Sequence, residues 1–371
     1  MNTTSTHSPP PSTSHPLPNG GLSTPATPPE PSTSRHGLGN RHPSPSTSAA
    51  VPNYKLKATL LGHTKGLSAV KISPDGKWVA TSSADGRILV YSLTDFSVYR
   101  CFEHSSVASK SPYGGVNDVT WSPDNQHVAS ASDNKTVKVF HLTSGNLERV
   151  FHGHTAYVFC LVFNPQGSIL ISGSSDETLR LWDVTNGKCL RIIPAHSDPI
   201  SSVAMNGDGT ILASASHDGL VRLWDLSTGQ CIKSLSDDSN PPISSIRFTP
   251  NSKFLLASSL DSTIRLWSPF TEKAVKTYTG HINAKFNTPT SIIAPSSQQP
   301  SSATSTAYVA SGSEDGRIFL WDLQSRKVVS SWSAHTDAVS GISSHGKWLV
   351  SGGLEKDLVA KVWVDVNALK R

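Results

Sequence analysis

From about residue 53 onward, apolar and polar positions alternate in short runs. "LSAVKIS" (67–73), "WVATSS" (78–83) and "RILVYS" (87–92) place apolar side chains at every second position, and turn-forming residues such as "PDG" separate them. Alternation of period two over six or seven residues predicts half-buried strands. A fourth run of the same kind closes each unit, for example "KCLRII" (188–193). The chain therefore reads as groups of four short antiparallel strands.

The groups repeat. An Asp or Asn precedes an aromatic residue by six positions seven times: Asp85/Tyr91, Asn134/Phe140, Asp176/Trp182, Asp218/Trp224, Asp261/Trp267, Asp315/Trp321 and Asp357/Trp363. A histidine stands 28 residues before the aromatic in four of them, at His63, His154, His196 and His335. His281 stands 40 before Trp321 and His104 stands 36 before Phe140, so those repeats carry about 12 and 8 extra residues. The fifth repeat has Ser239 in the histidine position. Four strands repeated at about 42 residues predict an all-β, seven-bladed propeller, in which each blade buries its faces against its neighbours. "YKLKATLLGH" (54–63) has no blade before it and is expected to pair with the last blade near "AKVWV", which closes the ring and removes a sheet edge.

The signature resembles that of the WD-repeat family, through Gly62-His63, Gly153-His154, Gly280-His281, Trp182-Asp183, Trp224-Asp225 and Trp321-Asp322. The resemblance implies a hydrogen-bonded structural set in the blades, formed by His63 and Asp85, by His154, Asp176 and Trp182, by His196, Asp218 and Trp224, by His281, Asp315 and Trp321, and by His335, Asp357 and Trp363. His154, Asp176 and a nearby serine have the composition of a hydrolase triad, but such a triad would not recur in four blades, so the set is scaffold. Asn134 and Phe140 replace Asp and Trp in blade 2, which is expected to be the least rigid.

Composition divides the chain. Residues 1–50 contain 11 Pro and 18 Ser/Thr and no Phe, Trp or Tyr, so residues 1–52 are expected to be a disordered tail ahead of a propeller over 53–371. The tail has neither the apolar core of a secretory signal nor the arginine content of a transit peptide, and no apolar run reaches 18 residues. Net charge is +5, of which the tail's Arg35, Arg41 and Glu30 supply +1. That mild excess, with no basic stripe, argues against nucleic acid as the main ligand. Cys101, Cys160, Cys189 and Cys231 are scattered without a C-x-x-C spacing, which points to reduced thiols in an intracellular protein with no zinc site and no disulfides. Phosphate-loop and H-E-x-x-H motifs are absent, so neither enzyme activity, cofactor nor metal is expected.

Two positions per blade are expected at the axial mouth. One lies five residues after the histidine: Ser68, Asn117, Phe159, Ser201, Ser244, Phe286 and Ser340. The other precedes the turn Asp: Ala84, Asp133, Ser175, His217, Leu260, Glu314 and Lys356. Aromatic rings among small hydroxyls, with Asp133 nearby, suit a guanidinium.

Blocks outside the general repeat carry a closer resemblance: "VPNYKLKATLLGHTK", "SSADG", "YVFCLVFNPQ", "PAHSDPIS", "DDSNPPISSIRFTPN", "KTYTGH" and "SGSEDGRIFLWDLQ". They are similar to the WD-repeat adaptor subunits of COMPASS-type histone H3 lysine-4 methyltransferase complexes. The resemblance implies a nuclear, non-catalytic adaptor that is monomeric within a larger complex. Its partners would be the histone H3 tail, the methyltransferase and associated subunits, with no membrane and no direct nucleic-acid contact. It implies an arginine-binding axial pocket at Ser68, Ala84, Asn117, Asp133, Phe159, Cys160, Ser175, Pro199, Ser201, His217, Phe286 and Asn287. It also implies a partner cleft on the opposite face at Asn251, Phe254, Leu266, Val275, Lys276 and Gln324. Asn117, Ser175, His217, Asn287 and Pro289 depart from the family pattern, and loss of one stacking face is expected to weaken arginine binding by about 1 kcal/mol, about five- to tenfold. The insertions at 105–115 and 294–307 are expected to border the top face and the lower cleft. The alternative reading is a general WD-repeat scaffold or a ubiquitin-ligase substrate receptor. The second requires a ligase-docking helical module upstream, which residues 1–52 lack.

Overall fold

A computed structural model describes residues 51–104, 114–294 and 307–369. The expected disordered tail and most of both insertions lie outside these residues. Among the described residues there are 28 strands and no helix, arranged as seven four-stranded antiparallel sheets. Blades 1 to 6 each take four consecutive strands. Their inner strands are Leu67–Ile72, Val116–Trp121, Val158–Phe163, Ile200–Met205, Ile243–Phe248 and Thr290–Ile293. The seventh takes Val339–His345, Trp348–Gly353 and Ala360–Asp365 from the end of the described chain, and Tyr54–Leu60 from its beginning as outer strand. That strand pairs antiparallel with Ala360–Asp365, from Tyr54 opposite Asp365 to Leu60 opposite Ala360. The ring closes as the alternation predicts.

Seven apolar cores lie between neighbouring blades rather than within them. Ile88, Val90 and Phe102 of blade 1 pack on Val119, Trp121 and Phe140 of blade 2. The closing core joins Val350 and Val362 of blade 7 to Leu67, Val70 and Tyr91 of blade 1 through Leu60. A blade removed from the ring would expose two such faces, so burial makes the blades mutually dependent.

The turn between the second and third strands explains the recurrent Asp. The residue after it has positive φ in all seven blades: Gly86, Lys135, Glu177, Gly219, Ser262, Gly316 and Leu358. In six of them Oδ1 of the Asp or Asn accepts the amide of the residue two places on, at 2.9–3.1 Å, as Arg87 N does to Asp85 and Thr178 N to Asp176. This side-chain cap holds a backbone conformation that side-chain-bearing residues rarely adopt.

The second carboxylate oxygen carries the structural set. His154 Nδ1 lies 2.8 Å from Asp176 Oδ2, His154 Nε2 lies 2.8 Å from Ser172 Oγ, and Trp182 Nε1 donates to the same hydroxyl at 2.8 Å. Blade 4 repeats this with His196, Asp218, Ser214 and Trp224, and blade 7 with His335, Asp357, Ser351 and Trp363. In blade 1, His63 joins Asp85 (3.0 Å) and Thr81 (2.8 Å), while Tyr91 Oη, in the Trp position, donates to Leu61 O instead. Burial pushes the Asp176 carboxyl up, but hydrogen bonds from His154, Thr178 and Thr155 outweigh it and hold the group well below the usual carboxylate range.

Three blades differ. In blade 2, His104 contacts Ser130 (2.7 Å) and Thr136 (3.1 Å), and Thr136 Oγ1 donates to Asn134 Oδ1 at 2.6 Å. Blade 5 replaces the histidine with an ion pair: Arg265 Nη2 donates to Asp237 at 2.9 Å and to Asp261 at 2.8 Å. In blade 6 the expected set does not form. Both ring nitrogens of His281 are buried without a partner, Trp321 Nε1 donates to Thr279 O, and Asp315 keeps only its turn role among the described contacts. The His281 ring packs edge-on against Trp321, 5.4 Å between centroids. Buried unpartnered polar atoms gather in this blade, at His281, Asn283, Thr288, Thr290 and Trp332, and not in blade 2. The extra residues between His281 and Trp321 displace the inner strand, which is cut to Thr290–Ile293.

Two outcomes are expected. His154→Leu strands Asp176 and Ser172 and costs about 2–4 kcal/mol, whereas His281→Leu removes two unpartnered atoms and leaves the unfolding midpoint unchanged or higher. A drop for His281→Leu as large as that for His154→Leu would show that His281 has a polar partner. Burial also pushes His104 down to about 3 and His281 down to about 4, from an ordinary 6.5. Between pH 4 and 6.5 the unfolded chain then binds protons that the fold does not, so stability falls as pH drops through that window. Unfolding midpoints measured from pH 7 to 4.5 should decline, and the decline should be shallower in His281→Leu.

Candidate functional site

The axial ring is built by a repeated irregularity. In six blades the inner strand slips register at its second residue: between Leu67 and Ala69, Val116 and Asp118, Val158 and Cys160, Ile200 and Ser202, Ile243 and Ser245, and Val339 and Gly341. The residue left unpaired is Ser68, Asn117, Phe159, Ser201, Ser244 or Ser340. A bulge re-aims the side chain it carries, and here it turns the ring residues onto the axis. All six line one cavity of about 300 Å³, together with Cys160, Phe286, Asn287, Pro289 and Leu354.

Two of the ring hydroxyls join neighbouring blades. Ser68 Oγ donates to Val116 O at 2.5 Å, and Ser201 Oγ donates to Ile243 O at 2.6 Å. Asn117 makes the equivalent bond, Nδ2 to Val158 O at 3.0 Å, and its longer side chain also donates to Asp133 Oδ1 at 2.8 Å. Gly115 leaves room for that carboxylate, since a Cβ there would stand 2.8 Å from Asp133 Oδ2. Cys160 is buried against Gly173 O and Ile200 O, and burial holds its thiol protonated.

Blade 6 supplies its ring member differently. Phe286 lies on the irregular segment ahead of the shortened strand, not at the start of that strand as expected. Glu314 Oε1 accepts the amides of Ala284 (2.7 Å), Lys285 (2.5 Å) and Phe286 (3.0 Å). Burial pushes the Glu314 carboxyl up, and these amides more than offset it, leaving the group below its ordinary value. The result is a second aromatic ring in the cavity wall, 43% exposed.

The other expected rim residues, Ala84, Asp133, Ser175, Pro199 and His217, lie outside the wall of this cavity. The amides of Ala84, Asp133, Ser175 and His217 donate to the carbonyls of the residues just ahead of the inner strands, Gly66, Gly115, Tyr157 and Pro199, so these turns flank the ring from outside the cavity wall. Asp133 and Ser175 instead line a separate hollow of about 470 Å³ with Thr155 and Tyr157. His217 N donates to Pro199 O at 3.1 Å, and His217 Nε2 is buried without a partner.

On the opposite face, Phe254 and Leu266 share one core with Leu323. Leu266 is 4% exposed, so it is core and offers a partner no surface. Val275 is half exposed. Lys276 Nζ donates to Leu323 O, Gln324 O and Gln324 Oε1 at 2.9–3.1 Å, tying blade 5 to blade 6. Asn251 Oδ1 caps its own turn from Thr249 Oγ and Lys253 N. Sequence reasoning missed Asp118, just beneath the ring: its Oδ2 accepts Leu161 N at 3.2 Å, Lys71 Nζ lies 3.7 Å from Oδ1, and burial raises its pKa. An acidic residue amid the apolar alternation of an inner strand was the available signal.

Seven blades with the recurrent His–Asp and Trp–Ser ties are the build of a WD-repeat propeller. The family model described as "WDR5 beta-propeller domain" matches residues 59–364, and the chain belongs to that family. Short segments are similar to other WD-repeat proteins. They are 44% identical over 48 residues to the target of rapamycin complex subunit wat1 of Schizosaccharomyces pombe, covering 13% of this chain and 15% of that one. They are 50% identical over 40 residues to WD repeat-containing protein 1 of Gallus gallus, covering 11% and 7%. They are 39% identical over 57 residues to small ribosomal subunit protein RACK1z of Arabidopsis thaliana, covering 15% and 17%. The match spans less than a fifth of each relative. The family fold is that of a protein-interaction scaffold. No helix among the described residues is long and apolar enough to cross a membrane.

Glu314→Ala should release the 284–286 amides and speed their hydrogen exchange by about tenfold or more, while exchange in the blade 3 strands stays unchanged. Equal protection in the two proteins would mean that the segment is held by something other than this carboxylate.

Proposed function

We propose that this protein is a non-catalytic nuclear adaptor that takes an arginine-bearing peptide into the axial cavity and helps assemble a histone H3 lysine-4 methyltransferase complex. The observation that carries the reading is the pairing of Phe159 and Phe286 in the wall of one cavity of about 300 Å³. Two aromatic faces in a narrow opening give a planar guanidinium a stacking surface, and the carbonyls already ordered by the serines give its N–H groups acceptors. The ligands would be the histone H3 tail and an arginine motif of the methyltransferase. Phe286 takes the place of the stacking face lost at Pro289, and Asn287 lines the wall beside it. Catalysis plays no part: the His–Asp–Ser groupings are buried inter-strand ties in three blades.

Titration of an arginine-containing H3-tail peptide into the full chain should give saturable binding, weakened about five- to thirtyfold by Phe159→Ala, equivalent to about 1–2 kcal/mol. Phe286→Ala should have a similar effect. Binding that neither substitution changes would place the peptide elsewhere. Affinity purification from cells that recovers no methyltransferase-complex subunit would overturn the assembly role.

A further inference from the structure

The end of blade 2 remote from Asp133 gathers a different chemistry. His127 opens the second strand (His127–Ser132), His141 ends the third (Thr136–His141), and Glu148 lies near the start of the fourth (Leu147–His152). His127 and His141 are direct cross-strand partners, with ring centroids 5.2 Å apart at 83°. One ligand-capable atom from each of the three residues lies within 4.8 Å of the others. We propose that His127, His141 and Glu148 form a binding site for a borderline divalent transition metal of the Zn²⁺ type.

The surroundings suit that role in three ways. Asp124 Oδ2 stands 3.5 Å from His127 Nδ1, while His127 Nε2 faces Glu148 Oε2 at 3.1 Å. A carboxylate behind one ring nitrogen keeps the proton there and leaves the other nitrogen's lone pair to the metal. Asp124 is itself held, accepting from Ser122 Oγ and from Gln126 N. Second, no Lys or Arg among the described residues neutralises the Glu148 carboxylate within 4.0 Å. Arg149 is adjacent, but its guanidinium donates to the carbonyls of Glu148, Val184 and Thr185 at 2.7–3.1 Å. Third, a hollow of about 260 Å³ bordered by Asp124, His127, Glu148 and Gln166 leaves room for a fourth ligand, either water or a donor from a partner.

Two imidazoles and one carboxylate select Zn²⁺, Ni²⁺ or Cu²⁺ over Ca²⁺ or Mg²⁺, which prefer oxygen alone. His141 sets a limit on affinity. Its Nδ1 accepts Ser144 N–H at 3.1 Å with Ser144 Oγ at 3.2 Å, so coordination through Nε2 moves the ring proton to Nδ1, where the hydroxyl takes over as acceptor. The exposed amide then turns to water.

Zn²⁺ and Co²⁺ titrations of the full chain test the site. Because the N-terminal segment contributes His7, His15, His36 and His42, the comparison is with His141→Ala, Glu148→Gln and Asp124→Asn in the same full chain. The wild type should take up one more equivalent of Co²⁺ than His141→Ala, with visible absorption of a nitrogen–oxygen coordinated ion. Glu148→Gln should bind at least about tenfold more weakly, and Asp124→Asn about tenfold more weakly. Zn²⁺ should raise the unfolding midpoint of the wild type and not that of His141→Ala. Equal stoichiometry and affinity in wild type and all three variants would overturn the proposal, as would a midpoint that Zn²⁺ shifts equally in each.

Discussion

The fold depends on a turn carboxylate that serves two partners at once. Oδ1 of the Asp fixes the backbone of its own turn, including the positive-φ residue after it, and Oδ2 reaches the histidine at the entry to the blade. The first bond is local and the second spans some 22 residues. Together they lock the loop between blades to the middle of a sheet that would otherwise have only its inter-blade cores. Partial replacement shows the hierarchy. Asn134 keeps the local bond without the distant one, Asp261 exchanges the distant partner for Arg265, and Asp315 drops it altogether. The turn function survives in all three, whereas in blade 7 Asp357 keeps the histidine contact ahead of the positive-φ Leu358. The histidine contact adds stability only where the histidine lies within reach.

Blade 6 bears the cost of a histidine out of reach. Buried polar atoms of His281, Asn283, Thr288, Thr290 and Trp332 lack partners there, and the shortened inner strand has no bulge to supply a pore residue. Glu314 compensates with a carboxylate that collects three successive amides and so orders the segment carrying Phe286. Local stability is thus lowered in the same blade that contributes an aromatic to the mouth. A binding surface that must adjust to a ligand is better carried by a weakly held segment than by a fully bonded one.

The repeat and its closure were legible from alternation and spacing, since both depend on short-range periodicity that every blade obeys. The axial ring was legible as an offset from the histidine, which held in six blades. For Phe286 the offset still names a residue of the cavity wall, but one that lies ahead of the shortened strand rather than on it. Turn residues such as Ala84, Ser175 and His217 were placed at the mouth by their position before the turn Asp, and they lie outside the cavity wall. The ion pair of Arg265 with Asp237 was invisible for another reason: it replaces a motif residue with chemistry drawn from two unrelated positions. Leu266 illustrates the same limit on the lower face, where an apolar residue in a matching position turned out to be core.

The departure at Asn117 is more than a lost serine. At Ser68 and Ser201 the serine bonds the next blade's carbonyl, and Asn117 performs the same task through Nδ2 to Val158 O. Its remaining reach is used on Asp133, so one oxygen of that carboxylate is engaged inside the protein. Glu314 is engaged likewise by three amides. Asp133 and Glu314 therefore hold the rim in place, and a cationic ligand that drew them away would have to break bonds already made, while Asp118, which lines the cavity, lies 3.7 Å from Lys71. Attraction at the opening then rests on the faces of Phe159 and Phe286 more than on ion pairing. Stacking is short-ranged and weakly screened, whereas pairing with an exposed carboxylate fades within a Debye length at physiological salt. A mouth of this kind selects for the flat, delocalised guanidinium over the compact ammonium of lysine, because only the former presents a plane to two rings.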